Sequence, residues 1–434
     1  MALPLVGQGM MGAATLVIDA ALCGRLPDGS HALTAFGFAA AILMWMHPVA
    51  EGIAAATVAA ISRAHGAGKS RVVNGLARNA FAYSLMAGLA FGAVGSVFAE
   101  PALLAIGTPA DLVPTAIAYL RPSFAFCVFS FIFSGLSASL RAVGNTRLPL
   151  VVSVVENLVN APISYVLMFG PLGLPAIGIA GAAYGTAAAK GIAALLLIAF
   201  VMRGRSAAVR LEPGPISFRT MGKLARFGAP ITLHITIVQI SLLVSVILLG
   251  RLDPLAVGAN IIAGRLNALA QMVGLAASRA TAALVGNALG RSNASRAFAA
   301  IRMALRWTTG SLTVLSVIGV TSTSAIVALF GVEDDSGLAR LTTECVQIIC
   351  IGLPLFGGQI VLAGAFMGAG SPKVPLFVTV VTTLLVQLPV SVVLAFPLGW
   401  GPTGIWVALP LTLAARMVLS WIVLQRGKWR RVGA

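Results

Sequence analysis

The sequence predicts an all-α integral membrane protein with twelve transmembrane helices, arranged as two six-helix lobes that are related by an internal repeat. Composition is the first reason: the 434 residues are 59% hydrophobic and only 9% charged, whereas soluble domains carry about 25% charged residues. The apolar residues also fall into twelve segments of membrane-spanning length. Finally, the two halves of the chain resemble each other in sequence.

Clusters of charged residues, glycine and proline separate the twelve apolar segments. Each segment is about twice as long as a strand of a membrane barrel and lacks alternation of polar and apolar residues, which favours helices over strands. The predicted helix cores are residues 2–22, 33–60, 76–98, 113–139, 148–169, 176–202, 224–249, 256–287, 299–330, 341–367, 374–396 and 404–425.

The charges between these segments predict the orientation of the chain. Connections that follow the even-numbered segments carry most of the lysine and arginine, so the positive-inside rule predicts that both termini are cytoplasmic. This pattern also accounts for the net charge of +17 without a nucleic-acid partner, which would need a soluble basic face. The basic side holds Arg63, Lys69, Arg71, Arg141, Arg147, Arg203, Arg205, Arg210, Arg219, Lys223, Arg291, Arg296, Arg302, Lys373, Arg426, Lys428, Arg430 and Arg431. The opposite side holds Asp28, Glu100, Asp111, Asp253, Glu333, Asp334 and Asp335.

The longest hydrophilic connection divides the chain into similar halves. We predict an N-terminal lobe over residues 1–202, a cytoplasmic linker over 203–223, a C-terminal lobe over 224–425 and a basic cytoplasmic tail over 426–434. The stretch EGIAAATVAAISRAHGAGK from Glu51 aligns ungapped with VGLAASRATAALVGNALGR from Val273, and AVGNTRLPL aligns with GAGSPKVPL 226 residues later. Six helices in each repeat give corresponding helices the same direction, and a cavity between such lobes is the usual place for a transported solute.

Asp19 is the leading candidate for a functional residue, because a carboxylate inside an apolar segment is costly and usually marks an ion or proton pathway. One interpretation is structural: only about one turn separates Asp19 from Gly24, so the carboxylate could be capped near the outer end of its helix. The other interpretation is a carboxylate that binds and releases a proton. The residues alone leave both open.

The fifth segment contributes further polar residues. Asn157 and Asn160 are i,i+3 neighbours and are candidates to hydrogen-bond Asp19. Glu156 points to a different face, and because a lipid-facing carboxylate is expensive, we expect it to pair, with Lys190 of the sixth segment as the candidate partner. In both cases simple interhelical hydrogen bonding is the structural alternative.

The motifs of the chain resemble the multidrug and toxic compound extrusion (MATE) family of secondary transporters. The pieces that match, in order along the chain, are ALPL, VIDAALCGRL, GIAAATVAAISRAHGAGK, SLRAVGNTRLPL, ENLVNAPISYVLMFGPLG, GIAGAAYGT and, in the second half, GAFMGAGSPKVPL. This resemblance implies twelve helices in two lobes, and antiport in which inward protons or sodium ions drive the export of a solute.

The resemblance also implies roles for individual residues. Pro4 and Asp19 resemble the pairing of the DinF-like branch, in which the aspartate couples the ion and the first helix bends on protonation. Asn157, Asn160 and Ser164 stand where family members ordinarily carry two asparagines and an aspartate. Ser164 replaces that second carboxylate, which disfavours tight sodium binding. Thr186 matches a hydroxyl that lines the same pocket in relatives.

Other polar residues within the segments are candidates for a substrate cavity, namely Glu156, Lys190, Gln239 and Arg279. If Lys190 or Arg279 faces the cavity, an anionic or neutral solute becomes plausible in place of a lipophilic cation. The C-terminal half is poor in acids within its segments, so we predict that ion coupling belongs to the N-terminal lobe.

We therefore predict a monomeric, multi-pass protein of the cytoplasmic or plasma membrane that exports small organic molecules in exchange for protons. Sodium coupling and a flippase for a lipid-linked intermediate are the alternatives. A membrane-embedded enzyme would need convergent catalytic groups, whereas the four histidines His31, His47, His65 and His234 are dispersed. No GxxxxGK[ST] motif for a nucleotide is present, and no cofactor is expected.

Overall fold

A computed structural model gives the structure of residues 2–171, 175–204, 208–329 and 337–427. This part of the chain contains eleven helices long and apolar enough to cross a membrane, and twelve when a bent pair counts as one span. The predicted all-α fold with twelve spans is therefore confirmed. Several charged residues used to predict the orientation lie outside the described residues: Arg205, Glu333, Asp334, Asp335, Lys428, Arg430 and Arg431.

The spans are numbered α1 to α12 in chain order. They are α1 (Ala2–Cys23), α2 (Gly29–Gly66), α3 (Ser70–Ala105), α4 (Val113–Ala125 and Cys127–Ala142, bent by 44°), α5 (Arg147–Phe169), α6 (Ile179–Met202), α7 (Phe218–Leu252), α8 (Pro254–Gly290), α9 (Ala294–Thr321), α10 (Gly337–Gly368), α11 (Lys373–Ala395) and α12 (Pro402–Gln425).

The helix boundaries differ from the predicted segments at a few places. The span predicted over residues 299–330 ends earlier, because α9 stops at Thr321 and a short helix, Thr323–Leu329, follows. At this break the Thr323 hydroxyl donates to the Gly319 carbonyl over 2.8 Å and so competes with the helical backbone pattern. The bend of α4 follows Pro122 by one turn, and proline removes a backbone hydrogen bond from a helix.

Residues 3–229 and 230–434 form two compact units, here called the N-terminal unit and the C-terminal unit. Each has its own apolar core. In the N-terminal unit one buried cluster includes Phe36, Leu120 and Met168. In the C-terminal unit the corresponding cluster includes Leu353 and Trp406. Large apolar side chains are also exposed along many of the helices, as expected of surfaces that face lipid.

Close packing of α6 against α5 positions the polar residues of the N-terminal unit. A Cβ atom at Gly181 would lie 2.6 Å from the backbone of Leu167 and Met168, and one at Gly185 would lie 2.7 Å from Ser164 Cα. Small residues four apart allow two membrane helices to approach this closely. The polar side chains on the facing sides of α5 and α6 are therefore held within hydrogen-bonding distance.

The connection between α6 and α7 is shorter than predicted, because α7 begins at Phe218 rather than near residue 224. Its described part is bound to α3. Arg78 donates to the carbonyls of Glu212 and Pro215 over 3.1 and 2.9 Å. Asn74 donates to the Glu212 carboxylate over 3.0 Å. Residues 208–217 thus pack as a fixed strap on the end of α3.

Candidate functional site

Asp19 lies on α1 with its side chain buried, 1% of the residue being exposed. The Thr186 hydroxyl of α6 donates to Asp19 Oδ2 over 2.8 Å. The Tyr119 hydroxyl of α4 approaches the same oxygen at 3.4 Å. Three helices thus converge on one carboxylate, which is stabilised by neutral hydroxyl donors.

The amide of Asn160 extends this arrangement onto α5. Asn160 Nδ2 donates to Thr186 Oγ1 over 2.8 Å and approaches Ser164 Oγ at 3.4 Å. Because the Thr186 hydroxyl accepts from Asn160 while it donates to Asp19, the three side chains form a directional hydrogen-bond chain, which polarises each bond in it. The structure therefore brings together Asp19, Asn160, Ser164 and Thr186, the residues that the sequence placed at one site.

Asn157 belongs to a neighbouring layer of the same helix interface. Its Nδ2 donates to the carbonyls of Met11 and Ser153, each over 3.0 Å, and its Oδ1 accepts from the Thr15 hydroxyl over 3.2 Å. Asn157 was expected to hydrogen-bond Asp19. It instead contacts α1 one to two turns earlier, because α1 presents Thr15 and the Met11 carbonyl at that level.

Glu156 and Lys190 form the ion pair anticipated from the sequence. Lys190 Nζ lies 2.9 Å from Glu156 Oε1, with 7% of the glutamate side chain and 30% of the lysine side chain exposed. Glu156 lies one turn from Asn160 on α5, and Lys190 lies one turn from Thr186 on α6. The ion pair is therefore a second polar contact between α5 and α6, and each charge neutralises the other.

Two buried oxygen atoms at the site have no hydrogen-bond partner among the described residues: Asp19 Oδ1 and Asn160 Oδ1. Buried polar atoms are nearly always hydrogen-bonded in folded proteins, and an exception needs a physical reason. An ionised carboxylate accepts only, whereas a protonated carboxyl also donates. The unsatisfied oxygens are therefore suited to a site where a proton, water or cation binds.

The surroundings of Asp19 differ along the helix axis. Towards Cys23 the site is closed by an apolar cluster that includes Phe36, Met168 and Ile179. In the opposite direction α1 carries Thr15 and Gln8, which share a face with Asp19 at spacings of four and eleven residues. Gln8 accepts from Arg141 Nη1 over 3.3 Å. Among the described residues, polar side chains therefore follow α1 from Asp19 towards Gln8.

The remaining candidates are Pro4 in the N-terminal unit and two residues of the C-terminal unit. Pro4 is in the first turn of α1 as described and is partly buried. Gln239 on α7 and Arg279 on α8 are partly buried within the C-terminal unit. The described contacts thus support a common site for the residues of α1, α5 and α6 within the N-terminal unit, and no described hydrogen bond joins Pro4 to it.

Sequence reasoning missed two contributors to the site, Tyr119 and Thr15. Tyr119 is one of only four tyrosines in the chain, and a buried tyrosine hydroxyl usually needs a partner. Thr15 lies four residues before Asp19, on the same helix face. The sequence shows both features, but neither feature identifies the helix that the hydroxyl group contacts.

Comparison with known proteins adds independent findings. The family model described as MatE matches residues 4–166 and 230–393, one stretch in each half of the chain. The "Probable multidrug resistance protein NorM" of Xanthomonas campestris pv. campestris is 28% identical over 437 residues, covering 96% of this chain and 91% of that protein.

Solved structures agree in fold. An outward-facing multidrug resistance MATE family transporter of the MOP superfamily superposes with a TM-score of 0.89 at 18% identity, over 100% of this chain and 96% of that one. The Vibrio cholerae MATE transporter VcmN, solved as a point mutant, gives a TM-score of 0.88 at 19% identity, over 99% and 97% of the two chains.

Proposed function

Because the chain belongs to the MATE family of multi-pass membrane transporters, we propose that it is a secondary active antiporter, which exports small organic molecules in exchange for protons. The observation that carries the proposal is the buried Asp19 carboxylate, with one oxygen bound by the Thr186 hydroxyl and the other without a partner among the described residues. The solute class follows from relatives that are named as multidrug resistance proteins.

Proton coupling is favoured by the charge balance around Asp19. Glu156 is neutralised by Lys190, so Asp19 is the one acid of this network without a paired cation among the described residues. Protonation turns Asp19 from an acceptor into a group that can also donate. A sodium ion would instead draw on several oxygen ligands, and with Ser164 in place of a second carboxylate the site offers mainly neutral ones.

The polarity of the site supports a direction for proton release. Polar groups lead from Asp19 through Thr15 towards Gln8, whereas the Cys23 side is apolar. We infer that the unprotonated carboxylate communicates with the end of α1 that carries Gln8, which the positive-inside rule makes cytoplasmic. In this mechanism a proton loaded from outside bends α1 beyond Pro4, as in the DinF-like branch, and returns to the cytoplasm afterwards.

Location and topology complete the proposal. The protein resides in the cytoplasmic or plasma membrane with both termini cytoplasmic, and it acts as a monomer. Antiport requires that proton and solute bias the same two conformations, since each ligand shifts the equilibrium only by its difference in affinity for them.

The test uses purified protein in proteoliposomes that contain cationic, neutral or anionic fluorescent solutes. Vesicles receive a pH gradient, a sodium gradient of matched ionic strength, or no gradient, and solute movement is followed in each. The proposal expects movement that depends on the pH gradient and persists without sodium. Dependence on sodium alone would overturn proton coupling, and the charge of the accepted solutes defines the substrate class.

A further arm of the same experiment tests the flippase alternative. Vesicles with a fluorescent polyprenyl phosphate lipid in one leaflet report lipid translocation through quenching by an impermeant reductant. Translocation of this lipid together with failure to move every soluble solute would replace the exporter by a flippase. Movement of a soluble solute without lipid translocation supports the exporter.

A further inference from the structure

The internal repeat extends into the last helix of each unit. The stretch GIAGAAYGTAAAK from Gly178 aligns ungapped with GIWVALPLTLAAR from Gly404, 226 residues later. Within it Thr186 corresponds to Thr412, and Lys190 corresponds to Arg416. The two stretches matched by the family model also begin 226 residues apart. Each unit thus carries one basic residue at the same position of its last helix.

The contacts of Arg416 repeat those of Lys190, but without an acid. At the same separation Glu156 and Asn157 of α5 correspond to Thr382 and Thr383 of α11. Arg416 Nε donates to Thr382 Oγ1 over 3.0 Å, and Nη2 donates to Thr383 Oγ1 over 2.8 Å. The pairing between helices is therefore retained, whereas the carboxylate that neutralises the cation in the N-terminal unit is absent here.

The carboxylate of Asp19 is also absent from the C-terminal unit. At the same separation α7 carries Ser245, whose hydroxyl donates to the carbonyl of Ser241 in its own helix over 2.9 Å. The N-terminal set therefore has two acids and one cation, and the C-terminal set has one cation and no acid. The net charge at these equivalent positions therefore differs in sign between the two units.

The other groups that share this face of α11 are neutral hydrogen-bonding residues. Thr379 lies one turn before Thr382 and Thr383, and its hydroxyl is 2.8 Å from His234 Nδ1 on α7. Gln387 follows one turn later, and it is 2% exposed. Residues Thr383–Gln387 form a π-helical turn, a local distortion that is frequent at functional sites.

No carboxylate among the described residues pairs with Arg416. The Glu344 carboxylate contacts α12, where it accepts a hydrogen bond from the Thr403 hydroxyl over 3.0 Å. Thr403 precedes Arg416 by 13 residues, which is roughly 20 Å along a helix. Glu344 is thus too far along α12 to reach the guanidinium.

The guanidinium is buried, with 5% of the residue exposed, and it remains charged at any physiological pH. Of its five N–H donors, the described contacts use the Nε donor and one Nη2 donor. Removing an unpaired charge from water is costly unless a counter-charge and hydrogen bonds compensate. Among the three remaining donors, one N–H of Nη1 and one of Nη2 are parallel in a guanidinium, and such a pair binds a carboxylate through two parallel bonds.

We propose that Arg416 is the centre of an anion-binding site in the C-terminal unit, formed with Thr379, Thr383, Gln387 and His234. The ligand is a small monovalent anion, either a free inorganic ion such as chloride or the carboxylate of a small organic solute. This site is separate from the Asp19 network, and its occupancy does not depend on whether protons drive transport.

Direct binding to the purified full-length protein in detergent tests the proposal. Radiolabelled chloride and radiolabelled benzoate are titrated separately at fixed ionic strength. Saturable binding of chloride alone identifies an inorganic anion site, and saturable binding of benzoate identifies a site for carboxylates. Absence of saturable binding of both anions overturns the proposal.

Matched variants separate the buried site from the general positive charge of the chain. Arg416→Gln should weaken the observed binding at least about tenfold, as expected when a buried charge pair loses one partner. Arg340→Gln removes an exposed arginine of the same unit and should bind like the wild type. Equal binding by Arg416→Gln and wild type would contradict the proposal.

A second pair of variants remains informative if Arg416→Gln does not fold. Thr382→Glu restores the acid found at the equivalent position of the N-terminal unit and should displace the anion by pairing with Arg416. Thr382→Gln has nearly the same size without the charge and should retain binding. Equal anion binding by these two variants, in samples that both elute as a single species, would overturn the proposal.

Discussion

At the scale of single residues, the N-terminal unit separates two carboxylates by giving them different partners. Glu156 contacts a cation, whereas Asp19 contacts the hydroxyls of Thr186 and Tyr119. The Glu156 carboxylate lies 2.9 Å from the Lys190 ammonium, whereas the hydrogen bonds to Asp19 come from neutral hydroxyl groups. This difference in partners is the reason we propose Asp19, and not Glu156, as the residue that exchanges a proton.

The ion pair provides a prediction for stability. Lys190→Met leaves the buried Glu156 uncompensated and should lower the free energy of unfolding by about 3 kcal/mol. The double variant Glu156→Gln/Lys190→Met should lose less than Lys190→Met alone, because no charge is left buried. Thermal unfolding of the purified variants in one detergent measures the difference. Additive losses in the double variant would show that the two residues do not interact.

The sequence predicted which residue types form the site better than it predicted their contacts. Carboxylates within apolar segments drew attention to Asp19 and Glu156, and the cost of burying Glu156 led to Lys190. The contacts of Asn157 with Thr15 and Met11 were not predicted and Tyr119 was missed, because these contacts depend on the rotation and relative height of packed helices. One sequence does not specify those quantities.

At the scale of helices, the position of the site depends on the approach of α6 to α5. Gly181 and Gly185 allow a backbone separation that side chains would prevent. The hydrogen-bond chain from Asn160 through Thr186 to Asp19 spans this interface. Small changes in the separation of α5 and α6 should therefore break the hydrogen-bond chain, even when all three side chains are still present.

Gly185→Ala tests this dependence. The new Cβ would meet the Ser164 backbone at 2.7 Å, and such overpacking costs about 1–3 kcal/mol. We expect a lower unfolding temperature and weaker proton-driven transport. Gly191→Ala is the matched control on the same helix, because its Cβ would lie 3.5 Å from the Phe129 ring, an ordinary contact. Equal unfolding temperatures for the two variants would contradict the packing argument.

The strap over residues 208–217 gives a second prediction at this scale. Arg78→Ala removes both bonds from α3 to the Glu212 and Pro215 carbonyls, so the strap should detach and trypsin should cleave after Arg210 sooner than in the wild type. Arg71→Ala changes an exposed arginine at the start of the same helix and serves as the control. Unchanged cleavage in Arg78→Ala would indicate that other contacts hold the strap.

Hydropathy predicted which segments are helices, because membrane spans need long apolar runs. It did not predict the bend of α4, the early end of α9 or the π-helical turn of α11. The bend of α4 and the early end of α9 lie where a proline or a threonine hydroxyl alters the backbone hydrogen bonding, and all three features are local. They leave the average apolarity of a segment almost unchanged, so hydropathy cannot detect them.

At the scale of the whole molecule, the repeat duplicates a helical framework and changes its charges. The ungapped alignment of α6 with α12 retains a threonine and a basic residue. The acids of the first repeat are replaced by serine and threonine in the second. The two units therefore share a repeated sequence pattern, while the net charge at these equivalent positions differs in sign.

The proposed topology can be tested by labelling introduced cysteines in intact cells. Asp28→Cys lies in the exposed connection between α1 and α2, and Ser70→Cys lies at the exposed start of α3. An impermeant maleimide should label Asp28→Cys in intact cells and Ser70→Cys only after permeabilisation. The four native cysteines are buried and should contribute little background. The reverse pattern would place the termini outside.

The most direct test of the central claim is proton-driven efflux by Asp19→Asn in proteoliposomes. Asp28→Asn, the same substitution at an exposed position, is the matched control. We expect Asp19→Asn to lose efflux driven by the pH gradient while it remains folded by its elution profile, and Asp28→Asn to transport like the wild type. Proton-driven efflux by Asp19→Asn at the wild-type rate would contradict the assignment of Asp19 as the coupling carboxylate.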